Sequence, residues 1–275
     1  MKIGIVSRTD KEDAIELDCS IIKYLLENNV EVEVDSSLVE KLPEFSMYDV
    51  ALDDMSSDIV LCVGGDGTVL NAQHVLSPKK IPILSINMGT VGFLTEVDPE
   101  NVFECLEKLL NYDFFIEERL QLDVLCDNEW HTVLNELVIM TSQPAKMLNL
   151  RVLVDEEVVD DVRADGLIVS TPSGSTAYAM SAGGPIVDPR VDAAIIIPIC
   201  PFKLNTRPKI VPAESLITVQ FLKEGKQGVA VLDGMLTSRF DFLEEIKVRK
   251  SDHSAYFVRF KQSFYKSVNS KLNII

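Results

Sequence analysis

The chain reads as an α/β domain followed by a β-rich domain, and three observations lead there. In the first hundred residues, apolar runs of strand length alternate with apolar residues at helical spacing. From about Gln121 the helical period gives way to short strands separated by turn signals. With 275 residues, 47% of them hydrophobic, the chain is long and apolar enough for one large domain or two ordinary ones.

The elements follow in order. "KIGIV" reads as a buried strand, and Ala14, Leu17, Ile21, Ile22 and Leu25 then recur on one helical face. "VEVEV" is a second strand, followed by a short acidic stretch, the strand "DIVLCV", a helical pattern from Thr68 through Leu76 and the strand "IPILSI". In "DPENVFECLEKLL", Asp98 is an N-cap, Pro99 takes the first helical position, and Val102, Phe103, Leu106, Leu109 and Leu110 share a face. Nine strands are expected beyond: "QLDVLC", "HTVLNELVIM", "LNLRVLV", "GLIVSTP", "AAIIIPIC", "LITVQF", "GVAVLDG", "EIKVRK" and "YFVRF". The final "SFYKSVNSKLNII" is read as a helix returning to the first domain. The expected division is therefore 1–98, 99–250 and a returning segment 251–275.

Composition excludes several classes of partner. A formal charge of −17 argues against a nucleic-acid backbone or an anionic membrane, both of which reward basic patches. No stretch approaches the ~20 apolar residues of a membrane span, and the start turns polar after Val6, unlike a secretory signal. The expected location is the cytoplasm. Cys19, Cys62, Cys105, Cys126 and Cys200 are odd in number and widely spaced, and read as buried small hydrophobes rather than a disulfide or zinc framework. On so acidic a chain, a phosphate ligand must be held by backbone amides, a few local Arg and Lys side chains, or a divalent cation.

"IVLCVGGDGTVLNA" packs Gly64, Gly65, Asp66 and Gly67 between a strand and a helix. Glycines there leave consecutive N–H groups free to converge on an anion, and the helix adds its own N-terminal amides. Asp66 repels phosphate unless it binds a metal, accepts a proton or contacts a hydroxyl. Taken alone, the loop fits equally well a strand-to-helix turn in which Asp66 caps the helix. "STPSGSTAYAMSAGGPIVDP", from Ser170 to Pro189, is mostly Gly, Ser, Thr and Ala, which suits either close packing or a polar ligand reached by Ser173, Ser175, Thr176, Tyr178 and Ser181. Asn135 and Glu136 interrupt "HTVLNELVIM", and an amide beside a carboxylate can read a ribose diol or an adenine amino group. Asp233 and Gly234 read as a hairpin turn.

Four stretches in one order, "GGDGTVL", "NMGTVGFLTE", "NEL" and "RADGLIVSTPSGSTAYAMSAGGPIVDP", together resemble the NAD kinase family. The last is the most specific; the glycine loop alone is shared with lipid kinases and phosphofructokinases. The resemblance runs from "KIGIV" to about "PKIVP" and departs at three points. Ser173 stands where threonine is usual, Cys200 where alanine is frequent, and Met235 where a polar residue is common.

The resemblance implies phosphorylation of the adenosine-ribose 2′-hydroxyl of NAD by ATP or polyphosphate, with a divalent cation such as Mg²⁺, giving NADP. It implies a Rossmann-like α/β domain followed by a β-sandwich-like one with the site in the cleft between them, and a homodimer or homotetramer. By residue, Asp66 matches the catalytic aspartate and Gly67 lies against the dinucleotide, while Gly64, Gly65 and Thr68 face the ATP phosphates. Phe93 matches an aromatic near the adenine, and Asn135 with Glu136 the pair that grips ribose or base. Thr176, Ala177, Tyr178 and Ser181 line the adenosine, and Lys146, Arg163 and Asp165 contact the rest of the dinucleotide, some from a neighbouring subunit. The competing readings are a lipid or sugar kinase built on the same loop and a non-catalytic dinucleotide-binding regulator.

Overall fold

A computed structural model describes residues 1–89, 92–143, 145–203, 205–223, 227–240, 244–262 and 264–272. It divides into two compact units, Met1–Glu118 with Ala255–Ile275, and Arg119–Ser254. Of the expected segments, part of "NMGTVGFLTE" (Thr90 and Val91) and the ends of the C-terminal stretch lie outside the described residues.

In the first unit, parallel strands run side by side in the order Asp49–Val50, Glu31–Asp35, Lys2–Ser7, Ile59–Gly64 and Ile83–Asn87, and Phe257 pairs with Ile83 beyond them. The chain leaves Lys2–Ser7 toward one edge and Ile59–Gly64 toward the other, so the order reverses between these two central strands. Sheets of this kind bind ligands at that reversal, just outside the carboxyl ends of the strands. The strand that ends there leads into the glycine loop.

The helix Glu12–Glu27 forms as its periodicity predicts and buries Ala14, Ile21, Ile22 and Leu25, while Leu17 is only partly buried. The remaining buried position on that face is Asp18, a polar residue that an apolar-spacing argument passes over. Asp98 makes no side-chain cap; Pro99–Asn101 forms a 3₁₀ turn and the helix proper is Val102–Leu110. Val102, Leu106 and Leu109 pack into the core with Ile3, Ile5 and Leu84, so this helix belongs to the first unit rather than opening the second. Phe103 stays 42% exposed, its ring edge-on to Tyr24.

The second unit contains a six-stranded antiparallel sheet in the order Lys209–Pro212, Ala193–Ile199, Gly166–Ser170, Glu136–Thr141, Gly228–Leu232 and Leu236–Phe240. One face of it supplies Leu137, Ile139, Leu167, Val169, Ala194 and Ile196 to a core shared with Leu150, Val152, Val219, Ile246 and Val248 of the other strands, a sandwich arrangement. Its other face, Val138, Ile168, Ile195 and Ile197, is covered by Ala179 and Val187. Burial on both faces explains why "GLIVS" and "AAIIIPI" are unbroken apolar runs rather than alternating ones.

Three expected strands changed. "HTVLNELVIM" is two strands, Glu129–Val133 and Glu136–Thr141, and the break falls at Leu134 and Asn135. "EIKVRK" and "YFVRF" are one strand, Glu245–Arg259. The strand Glu157–Ala164, missed because its sequence is acidic, pairs with Leu148–Val154 through a turn at Asp155 and Glu156, both at positive φ. All five cysteines are free; Cys62 and Cys126 are buried as expected, Cys19 and Cys105 are half-buried, and Cys200 is exposed at φ +47°, where a hydrophobic anchor would gain nothing.

Candidate functional site

In the first unit, Ile59–Gly64 ends at the sheet reversal and the helix Asp66–Leu76 begins after the single residue Gly65. The glycines divide by role. A Cβ on Gly64 would lie 2.6 Å from Thr68 Cβ, so its bareness serves packing against the first turn of the helix. Cβ atoms on Gly65 and Gly67 would meet nothing within 4 Å, which leaves their backbones open beside the N-terminal amides of the helix.

Asp66 is the first helical residue and does not cap its own helix. Its carboxylate turns to the segment after Ile83–Asn87, where Phe93 N–H donates to Oδ2 at 2.9 Å and Leu94 N–H to Oδ1 at 3.1 Å. Asp66 and the half-buried Phe93 are thus tied together, although they stand 27 positions apart in the chain. The C-terminal helix Phe264–Lys271 adds a cation to the same place: Lys271 Nζ lies 5.5 Å from the centre of the Phe93 ring. Burial lowers the Lys271 ammonium below its usual range, against the charges of Asp66 and Asp98. Nothing in the sequence pattern pointed to Lys271.

In the second unit, Asn135 and Glu136 are buried where the chain passes from one sheet to the other. Asn135 Oδ1 and Glu136 Oε2 have no hydrogen-bond partner among the described residues. Leaving two such atoms dry and unpaired costs ~1–3 kcal/mol each, a penalty that a polar ligand would relieve. Burial, together with the nearby charge of Asp233, raises the Glu136 carboxyl to about 8, opposed by the backbone N–H of Tyr178.

The Ser- and Thr-rich segment packs directly on this pair. A Cβ on Gly174 would sit 2.7 Å from the Asn135 carbonyl carbon, so only glycine permits the approach. Its hydroxyls are largely engaged within the unit. Thr171 Oγ1 donates to Leu134 O at 2.6 Å and accepts from Gly174 N–H; Ser175 Oγ bonds both backbone groups of Val187; Thr176 Oγ1 donates to Ser173 O; and Ser173 Oγ accepts from Arg119. Their density therefore builds the segment's shape, and it is Tyr178 and Ser181 that stand exposed.

Arg163, Asp165 and Lys146 are not brought to this pair. Ser170 is the register partner of Glu136, whereas Asp165 precedes the other end of the strand Gly166–Ser170, about 16 Å away at ~3.3 Å per residue. Arg163 is exposed, with its guanidinium 4.8 Å from the centre of the Phe202 ring, and Lys146 is exposed in the loop beyond Thr141. The residue beside this pair that sequence reasoning passed over is Asp233. As a hairpin residue it signalled only a turn, but its carboxylate accepts the N–H groups of Leu134, Asn135 and Glu136.

Among the described residues no group of three or more His, Cys, Asp and Glu side chains is arranged to hold a metal ion. None of the described helices is long and apolar enough to cross a membrane.

The two halves of the chain match two family models, the ATP-NAD kinase N-terminal domain over residues 3–114 and the ATP-NAD kinase C-terminal domain over residues 134–260. The chain belongs to the NAD kinase family. It is 79% identical to the NAD kinase of Methanosphaera stadtmanae over 99% of both chains. Among solved structures it is similar to an NAD kinase from Archaeoglobus fulgidus in complex with ATP, with a TM-score of 0.80 and 33% identity over the whole of both chains. It is also similar to yeast NADH kinase complexed with NADH, with a TM-score of 0.90 and 25% identity over 99% of this chain and 87% of the yeast one. The NAD kinase C-terminal model ends at residue 260, so the helix that carries Lys271 lies beyond the matched region.

Proposed function

We propose that the chain transfers the γ-phosphate of ATP to the 2′-hydroxyl of the adenosine ribose of NAD, giving NADP and ADP. The observation that carries this reading is Asp66. Its carboxylate stands beside two open glycine backbones at the sheet reversal and is oriented by the amides of Phe93 and Leu94. Phosphoryl transfer asks for positioning and charge neutralisation more than covalent chemistry. The amides of Gly65 and of the helix start receive the triphosphate, with Gly64 and Thr68 beside them, and Gly67 lies against the dinucleotide. A divalent cation such as Mg²⁺ would accompany the triphosphate as part of the substrate and offset its charge.

Asp66 accepts a hydrogen bond from the 2′-hydroxyl and takes its proton late, once the bond to phosphorus is forming; until then it orients the oxygen. Phe93 packs against the adenine. Asn135 and Glu136 bind the adenosine with Thr176, Ala177, Tyr178 and Ser181, and Lys146, Arg163 and Asp165 serve the rest of the dinucleotide. The same reading makes the protein a cytoplasmic homodimer or homotetramer, which its mass in solution tests. The reaction itself is tested with purified protein, NAD, Mg²⁺ and either ATP or polyphosphate, with NADP as the readout and diacylglycerol and fructose 6-phosphate as control acceptors. NAD binding without NADP formation would overturn it.

A further inference from the structure

Asp233 and Gly234, at φ +48° and +73°, are the central residues of the β-turn that Met235 N–H closes on Leu232 O, in the three-residue connection between Gly228–Leu232 and Leu236–Phe240. A turn alone has no use for a carboxylate here, since asparagine or glycine adopts the same backbone. The Asp233 side chain instead gathers three consecutive amides. Oδ2 accepts Leu134 N–H at 2.7 Å, and Oδ1 accepts Asn135 N–H at 2.8 Å and Glu136 N–H at 2.9 Å. Its own N–H donates to Glu136 O at 3.0 Å, so the turn and the bend are closed on each other. That bend is where the chain changes sheets, and Asp233 supplies the acceptor for these three amides.

We propose that Asp233 is a positioning residue of the acceptor site: by collecting these amides it fixes the bend that presents Asn135 Oδ1 and Glu136 Oε2 to the adenosine of NAD. This rests on the reading that the pair binds NAD. A second consequence is electrostatic. The groups facing Glu136 are the Asp233 carboxylate on the hairpin turn, Ser170 across the ladder and the Tyr178 N–H from the segment above. Burial and the Asp233 charge push Glu136 up to about 8, so at neutral pH it is an acid able to donate to an oxygen or ring nitrogen of the ligand. Above that value it becomes a second buried negative charge beside an anionic dinucleotide.

The test compares the intact protein with D233N, E136Q and the double variant, measuring kcat, KM for NAD and calorimetric NAD binding from pH 6 to 9, with thermal melts alongside. In the unsubstituted chain NAD binding weakens as pH rises through about 8. D233N is expected to raise KM for NAD about tenfold, the size of losing one charge-assisted hydrogen bond, with a smaller fall in kcat, and to move the inflection to lower pH. E136Q, a permanent neutral donor, erases the inflection in both backgrounds. An unchanged KM, or a raised KM with the inflection left in place, overturns the proposal. If D233N fails to fold, D233E decides it: it keeps the charge but shifts the carboxylate away from the three amides, so a KM for NAD unchanged in D233E overturns the proposal and one raised in D233E supports it. Absence of NADP formation by the unsubstituted chain is a different result, and removes the reading on which this one rests.

Discussion

Asp66 and Glu136 are both carboxylates at the head of a regular element, yet their surroundings are opposite. Asp66 is half-buried beside open glycine backbones, with each of its oxygens bonded to a backbone amide. Glu136 is buried, one of its oxygens has no partner among the described residues, and another carboxylate stands beside it. The first arrangement holds a charged group in a fixed direction next to room for a reactant, which suits a base. The second holds a group whose needs are unmet until something polar arrives, which suits binding. Residue type alone does not separate these roles; the number and sign of the neighbours does.

The largest expected effect breaks the comparison at Asp66. D66N keeps the size and one acceptor oxygen but sets an NH₂ against an amide donor and cannot take a proton, so turnover should fall ~100-fold or more with NAD affinity little changed. Steady-state kinetics beside calorimetry separates the two, and near-normal turnover would remove Asp66 from its assigned role.

The next sharpens the division among the loop glycines. G64A forces a methyl against Thr68 Cβ, which rotating the Thr68 hydroxyl does not relieve, and should cost ~1–3 kcal/mol in chemical denaturation. G65A and G67A meet open space, so their stability should stay near that of the unsubstituted chain while KM rises, for ATP at Gly65 and for NAD at Gly67, because the methyl occupies the ligand's approach. Equal stability losses at all three positions would mean the loop is only a turn.

Asp18 offers a third carboxyl with no proposed ligand. Burial raises it to about 8 from an ordinary 3.8, opposed by the Ser7 hydroxyl. The native chain therefore retains a proton that the unfolded chain releases between about pH 4 and 8. Its contribution is most favourable below that window and declines as pH rises through it, by about 1.4 kcal/mol per pH unit at the steepest. D18N should flatten that decline in urea melts taken from pH 5 to 8. An unaltered slope would show that another group titrates.

The smallest effect concerns Lys271. A cation over an aromatic ring contributes ~0.5–1 kcal/mol when partly exposed, so K271M should raise KM for NAD about two- to fivefold through Phe93, and K271R should restore it. A change in KM for ATP alone would instead place the ammonium with the phosphates.

Much of this molecule was legible before folding. The α/β alternation, the glycine loop between strand and helix, and the unbroken apolar strands of the second unit all follow from local periodicity and from burial on one face or two, which depend on near neighbours in the chain. The acidic strand Glu157–Ala164 was not legible, because an edge strand with solvent on one side needs few apolar residues. Nor was the extension of the first unit to Glu118, past the expected boundary at residue 98, since an apolar helical stripe does not say which sheet will cover it.

By itself, the sequence determined the family and most of the candidate residues, since those depend on which groups recur in which order. The tertiary structure decided what each group experiences. Asp66 turned to the amides of Phe93 and Leu94 rather than to its own helix, the segment's hydroxyls were engaged internally, and Asp233 became the anchor of Asn135 and Glu136 from almost a hundred residues away. The physical reason is that hydrogen bonding and desolvation act through space, and long loops bring together groups whose separation along the chain carries no periodic signal.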